Sequence, residues 1–398
     1  MTAGDTGASL DAPGLYVHVP FCTSVCPYCD FAVTIAGERR RSSFVEALVL
    51  EAERSRWSGG AFDTVYLGGG TPSSMEVAQI EYTVGELRRL LPVRPDARVT
   101  LEANPEDVTV ERVVAWRSAG VTAVSLGVQS FHDDELGFLG RRHGAREARR
   151  SLEVLADSGL DWVSADLIFG LPGQGADRWG RSLDAAVASG VDHLSCYQLT
   201  IHEGTVFGRR AAAGRLQEAS DDVQGELFDL AHHRLEAAGW DHYEVSNWAA
   251  SSAARSRHNL KYWRHVPYLG LGPSAHSFDG ERRRWWNLRA VRRWQRRLLE
   301  DESPIEAWED LTDSELLLET VLLGLRTSDG VDLEAVRRRF GCDVLARNRA
   351  LFDRSFAEGL VVETAGRVRP TARGMAVAEA IVRSLDLGLD GTEAAPAS

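Results

Sequence analysis

Cys22, Cys26 and Cys29 are spaced C-x3-C-x2-C in the stretch Tyr16-Val-His-Val-Pro-Phe-Cys-Thr-Ser-Val-Cys-Pro-Tyr-Cys-Asp-Phe31, directly after a short β-branched run. A cubane 4Fe–4S cluster normally takes one thiolate per iron. Three thiolates on one tight loop can therefore hold three irons and leave the fourth open to a small chelating ligand. Two plainer readings compete: a zinc site short of one ligand, and unrelated core cysteines. A structural zinc site needs four protein ligands, and no second cysteine pair follows at finger-like spacing. The spacing points to the iron–sulfur cluster.

Other residues suit a ligand beside such a cluster. Gly68-Gly69-Gly70, ahead of Thr71, removes every Cβ where backbone must approach a ligand or take positive φ. Its N–H groups would suit a carboxylate, although a tight strand-to-helix turn would show the same glycines. Glu102 closes an apolar run and could accept from ribose hydroxyls or an ammonium; the plainer reading is a helix N-terminal acid. Tyr28, between two of the thiols, offers a face to a flat base or simply packs. Tyr16 and His18 fall on one face of a strand: Tyr16 could hydrogen-bond the ligand, and His18 reads as a satisfied core residue. Cys196 and Cys342 read as buried, inert thiols.

These side chains need a frame. Strand-like runs at Leu15–Val19, Thr64–Leu67, Arg98–Leu101, Ala123–Val128, Trp162–Phe169 and His193–Leu199 alternate with helical runs. The helices fall at Phe44–Trp57, Val77–Leu91, Val110–Ala119, Arg146–Ser158 and Leu183–Ser189. Such alternation means parallel strands with crossover helices, and six units are too few for an eightfold barrel. The expected fold class is α/β, an open, partial (β/α)6 barrel. Gly120, Gly159 and Gly190 each stand where a helix should stop before the next strand. Parallel barrels build their sites at strand C-termini, and the cysteine loop, the glycine triplet and Glu102 all follow strands. Gln129, Arg141 and Asp166 add a polar set that a purely structural barrel would not need at its mouth.

The barrel core is expected over 14–250, a connecting segment over 251–305, and a small winged-helix-like α+β domain over 306–388, with disordered ends at 1–13 and 389–398. The alternating run Leu360–Arg369 around Ala365-Gly366 supplies the wing. A net charge of −13 disfavours generic attraction to nucleic acid. Five cysteines, three committed to one loop, show no disulfide framework and fit a reducing cytoplasm. Met-Thr-Ala-Gly-Asp-Thr-Gly has neither the basic nor the apolar segment of a signal peptide, and no apolar run reaches the roughly 20 residues of a membrane span. The expectation is a cytosolic chain.

With these residues in view, the chain resembles the HemN/HemW family of radical S-adenosylmethionine (SAM) proteins over nearly its whole length. The motifs that carry the likeness are HVPFCTSVCPYCDF, GGGTPS, SLGVQSF, DLIFGLPGQ and HNLKYW. The resemblance implies a radical-SAM barrel, with the SAM amine and carboxylate on the open iron. It implies contacts to that SAM from Tyr16, Gly69 and Glu102. Contacts to a second SAM, in the oxidases of the family, fall at Tyr28, Gly70, Thr71, Gln129, Arg141, Asp166 and Thr200.

Two departures choose between branches. Oxygen-independent coproporphyrinogen III oxidases carry a further cysteine two residues after the third cluster cysteine, where this chain has Phe31. They also carry a long N-terminal extension, whereas 15 residues precede Tyr16 here. Both departures, with HNLKYW at 258–263, favour the HemW-type heme chaperones. That likeness implies heme as a further ligand, with His258 as axial donor or covalent anchor. His258 as a plain loop residue stays open, as do His265 and His276 as alternative ligands. Tyr262 and Trp263 offer flat faces, and arginines within 282–297 could meet propionates, although a solvated helix face competes. The expected protein is a cytosolic heme chaperone carrying a SAM-ligated cluster. It would deliver heme to apo-hemoproteins at the cytoplasmic membrane face, with no nucleic-acid partner and room for a homodimer. Oxidative decarboxylation of coproporphyrinogen III is the enzymatic alternative, and a radical-SAM methyltransferase a third.

Overall fold

The computed structural model describes residues 11–388. Six strands form the frame: β1 (Gly14–Val19), β2 (Phe62–Gly69), β3 (Val93–Ala103), β4 (Ala123–Gln129), β5 (Trp162–Phe169) and β6 (His193–Gln198). They lie side by side in chain order, each neighbouring pair parallel. Parallel neighbours need crossovers, and α1 (Glu38–Arg54), α2 (Val77–Leu90), α3 (Val110–Ser118), α4 (Ala145–Ala156) and α5 (Ala176–Ala188) supply them. This is the partial (β/α)6 barrel read from the alternation.

β1 shows how the sequence makes a wall. Leu15, Val17 and Val19 are fully buried and alternate with Tyr16 and His18, so the two sets face opposite sides. Each buried aliphatic side chain contributes about 1.5–3 kcal/mol. α1 adds Phe44, Val45 and Leu48 to the core, Phe44 standing edge-on to Phe21 at 5.1 Å. Gly120, Gly159 and Gly190 take positive φ (91°, 69° and 75°) as the helix stops they were read to be.

Residues 251–305 are more than a connector. Strand Tyr268–Leu271 pairs parallel with β1, and His276–Phe278 and Arg283–Asn287 follow antiparallel. On the far side Asn247–Ala249 pairs antiparallel with β6. β1 and β6 thus each meet another strand rather than each other, and the barrel stays open. The run Tyr-Leu-Gly-Leu-Gly-Pro-Ser-Ala-His-Ser-Phe278, broken by Gly and Pro, hid these strands. Of the expected loose ends, 1–10 and 389–398 lie outside the described residues. Residues 11–13 depart from the expectation, because Ala12 is buried and its carbonyl accepts from Lys261 Nζ at 2.5 Å.

A second unit holds 310–388 with 242–245 and 263–265, so it starts a few residues later than expected. Its helix Asp313–Gly324 opens on a capping box of Thr312 and Glu315. The hairpin Val361–Thr364 and Arg367–Pro370 turns at Ala365-Gly366, both at positive φ (51° and 74°) as a two-residue hairpin turn requires. Val331–Asp332 adds a third strand, and Val321, Leu325, Val336, Phe352 and Val368 fill the core. This is the small winged α+β domain.

Candidate functional site

The strand C-termini open on one cavity of about 390 Å³. Cys22, Cys26, Cys29, Tyr28 and Phe31 form its wall on the cysteine loop; Gly69, Gly70, Thr71 and Glu102 come from the next two strands. Gln129, Arg141, Asp166 and Thr200 complete it. Residues at or following the C-terminal parts of all six strands therefore meet as the barrel logic required.

The cysteine loop is tied down on every side. His18 Nε2 bonds the Ala32 carbonyl (2.9 Å), Phe207 N–H donates to the Pro27 carbonyl (2.8 Å), and Arg289 donates to the Asp30 carbonyl (2.6 Å). Two sulfurs receive donors at 3.6 Å: Thr71 Oγ1 on Cys22 and the Arg141 guanidinium on Cys26. Asn104 links these donors, accepting from Arg141 (2.6 Å) and reaching Thr71 Oγ1 (3.5 Å). Burial works against the Arg141 charge, but Tyr28, Cys26 and Glu106 together more than offset it. Burial also pushes the Cys22 thiol up to about 11, so its ionisation needs nearby positive charge, which a metal centre supplies. Three free thiols facing one cavity, two with hydrogen-bond donors aimed at sulfur, fit a cluster with one open corner. Among the described residues no three His, Cys, Asp or Glu side chains close around a single-ion position.

The glycine triplet serves differently from its sequence reading. Gly69 N–H donates to Glu102 Oε2 (2.9 Å), Gly70 N–H to the Val19 carbonyl (2.8 Å), and Thr71 N–H to the Phe21 carbonyl (2.6 Å). Those amides are spent on partners inside the protein, one of them the Glu102 carboxylate, and are not offered to a ligand. What the missing side chains allow is contact between turns. A Cβ on Gly70 would lie 2.6 Å from the Phe21 carbonyl oxygen, and Gly69 holds φ at 107°.

Two of the carboxyls facing the cavity, Glu102 and Asp166, are raised toward neutrality. Burial, then Asp166, raises Glu102 to about 7 against the Gly69 and Tyr66 donors. Burial raises Asp166 to about 6, opposed by the hydroxyls of Ser195 and Ser125, the latter at 3.2 Å. Gln129 sits at φ 65° beside a register shift in β4, a conformation rare outside glycine that turns its side chain to the cavity.

Two expected site residues lie elsewhere. Tyr16 does not line the cavity, and its hydroxyl meets His18 Nδ1 at 3.1 Å. His258 is 4% exposed on helix Arg257–Trp263, stacked on Tyr66 at 5.1 Å. Its Nδ1 meets Thr64 Oγ1 (2.9 Å) and its Nε2 the Tyr262 hydroxyl (2.8 Å), leaving no lone pair for an iron. Burial, then Lys261, lowers it to about 3. Lys261 is equally interior, 2.6 Å from Asp63, which also pairs with Arg257 at 2.6 Å. The HNLKYW helix thus plugs the N-terminal ends of β1 and β2. His265 bonds Glu319 at 3.2 Å within the second unit, and His276 is exposed. The sequence reading missed Asn104 and the Ser125 and Ser195 hydroxyls. Small polar residues at inward strand positions were the available signal for the serines.

Residues 16–186 match the radical SAM superfamily, and 311–377 match the HemN C-terminal domain. The chain is 37% identical over 378 residues to the heme chaperone HemW of Mycobacterium tuberculosis H37Rv, covering 94% of both chains. It is 37% identical to the Escherichia coli K12 HemW over 74% of this chain and 78% of the relative. With the Bacillus subtilis HemW the values are 32%, 82% and 86%. The structure of coproporphyrinogen III oxidase HemN from Escherichia coli superposes with TM-score 0.79 at 20% identity, covering 95% of this chain and 91% of that one. That likeness shows the fold. No helix among the described residues is long and apolar enough to cross a membrane.

Proposed function

The chain belongs to the HemW heme chaperones of the radical SAM superfamily, and from that premise we propose that it carries heme as cargo beside a SAM-ligated 4Fe–4S cluster. Cys22, Cys26 and Cys29 hold the cluster, and Glu102 and Asp166 face the cationic cofactor. Such a cluster, when bound, supplies single electrons. The chain's own part is to exclude water, set donors on the sulfurs through Thr71 and Arg141, and keep two carboxyls poised near neutral pH. The protein works in the cytosol and passes heme to respiratory apo-hemoproteins at the membrane face.

The observation that carries this reading is the convergence of three free thiols with Arg141, Glu102 and Asp166 on one cavity, in a chain that aligns over 94% of its length with a heme chaperone. Phe31, 62% exposed, faces that cavity where the resemblance puts a cysteine in the oxidases. The test is anaerobic reconstitution with iron, sulfide, hemin and SAM assays, then transfer of heme to an apo-hemoprotein. Iron, sulfide and transferable heme are expected. Stoichiometric conversion of coproporphyrinogen III by the reduced protein with SAM would instead establish the oxidase.

A further inference from the structure

Thr64, Tyr66 and Gly68 alternate along β2 and share its inward face. The Tyr66 ring packs with two others. It stacks on His258 of the plug at 5.1 Å and 22°, and on Tyr16, its register partner on β1, at 6.3 Å and 27°. One edge of the ring runs on to Gly68. A Cβ built there would stand 2.9 Å from Tyr66 Cε1, 2.9 Å from Glu102 Oε1 and 3.0 Å from Glu102 Cδ. Gly68 is therefore a notch against which a phenol from β2 and a carboxyl from β3 are both pressed. Its φ is not positive, so the missing side chain serves space and not backbone conformation.

Glu102 has few other supports. Its Oε2 accepts from Gly69 N–H at 2.9 Å, and Tyr66 is the second donor that favours its ionised form. Burial, with Glu102 and Asp166 close by, keeps the Tyr66 phenol protonated and so a donor. The other titratable groups that face Glu102 are Asp166 from β5, Tyr16 from β1 and Tyr262 from the plug. None of these is a cation, and among the described residues no arginine, lysine or histidine side chain pairs with Glu102. A buried carboxylate without a protein countercharge is costly, and this one lines the cavity where a cationic ligand can supply it.

We propose that Tyr66 is a positioning residue for the cationic cofactor: it holds the Glu102 carboxyl in the notch at Gly68, where the carboxylate serves as countercharge to the bound cation. The assignment rests on the reading of the mouth as a SAM site. The HNLKYW motif serves that site at one remove, because His258 backs the ring that holds Glu102. The first glycine of the triplet gains a role that neither Gly69 nor Gly70 shares.

The test is SAM binding to the anaerobically reconstituted full chain, measured by calorimetry across about pH 6–9. Affinity of the native protein is expected to rise with pH. Tyr66→Phe deletes only the hydroxyl and with it a hydrogen bond to the charged form. Its rising limb is expected about one pH unit higher, with affinity near neutrality severalfold lower. In a Glu102→Gln background the same substitution changes affinity by less than about twofold, because it acts through the carboxyl. Gly68→Ala pushes the carboxyl from its seat and weakens binding by about tenfold or more. Tyr66→Phe with native affinity and an unmoved profile, or with equal loss in both backgrounds, overturns the assignment and leaves the SAM site standing. A native chain that holds its cluster yet binds no SAM overturns that reading, and the assignment with it.

Discussion

The two ends of the barrel hold the same kinds of residue and use them in opposite ways. At the mouth, Glu102, Asp166 and Arg141 face a cavity with hydrogen-bonding capacity to spare, and Gln129 is held in left-handed backbone. At the strand N-termini, Asp63, Arg257, Lys261, His258, Thr64 and Tyr262 pair among themselves. Both sets come from motif-like strings of His, Tyr and charge. Only the first set lines a cavity. In parallel barrels the mouth carries chemistry and the opposite face carries stability, and the hydrogen-bond pattern here divides the same way.

Substitutions that split function from stability test that division. The largest effect is expected from Cys26→Ser: cluster iron and sulfide fall to background on anaerobic reconstitution, while the melting temperature of the apoprotein stays near native. At the other end, Asp63→Asn leaves the buried Lys261 and the half-buried Arg257 short of their partner and should cost about 3–5 kcal/mol, read as a lower denaturation midpoint. Reconstituted iron content is unchanged below that midpoint. His258→Ala should cost about 1–3 kcal/mol for each hydroxyl left unpartnered, Thr64 and Tyr262, and keep the native hemin spectrum. A melting curve with a Soret titration on the same sample checks both halves, and a lost Soret band with an unchanged melt would reverse the roles assigned to the two ends.

Gly70→Ala probes the seam between the cysteine loop and the second strand. The Cβ meets backbone oxygens at 2.6 and 2.9 Å, so the loop must shift at about 1–3 kcal/mol. SAM affinity should fall with it in calorimetry. The smallest effect is that of pH. Glu102 and Asp166 are raised in the folded protein, so their contribution to stability is present below the unfolded-state values. It is lost as pH rises through about 6 and about 7. Affinity for the cationic cofactor moves oppositely, rising across that window by up to about tenfold per ionisation. Glu102→Gln should flatten the upper part of the profile.

Much of this was legible beforehand. Val and Leu alternation with Gly stops located all six barrel strands, and by spacing alone the cysteine loop and Glu102 fell at strand ends and Asp166 late within its strand. Helix α5 starts at Ala176 rather than Leu183 because Gly180 and the charged first turn masked its periodicity. β3 runs back to Val93 through Pro95 and Asp96, residues that discourage a strand assignment. His258 was misplaced for a deeper reason. Its residue type suits a ligand and a hydrogen-bonded core equally, and only Thr64, far away in sequence, decides between them.

The one lysine of the chain, Lys261, is 1% exposed. An acylating reagent therefore finds no side-chain amine on the surface of the folded protein and gains one when the barrel opens. Mass spectrometry of acylated Lys261 would act as a covalent clock for global opening. It would report how firmly the plug stays seated without any engineered probe.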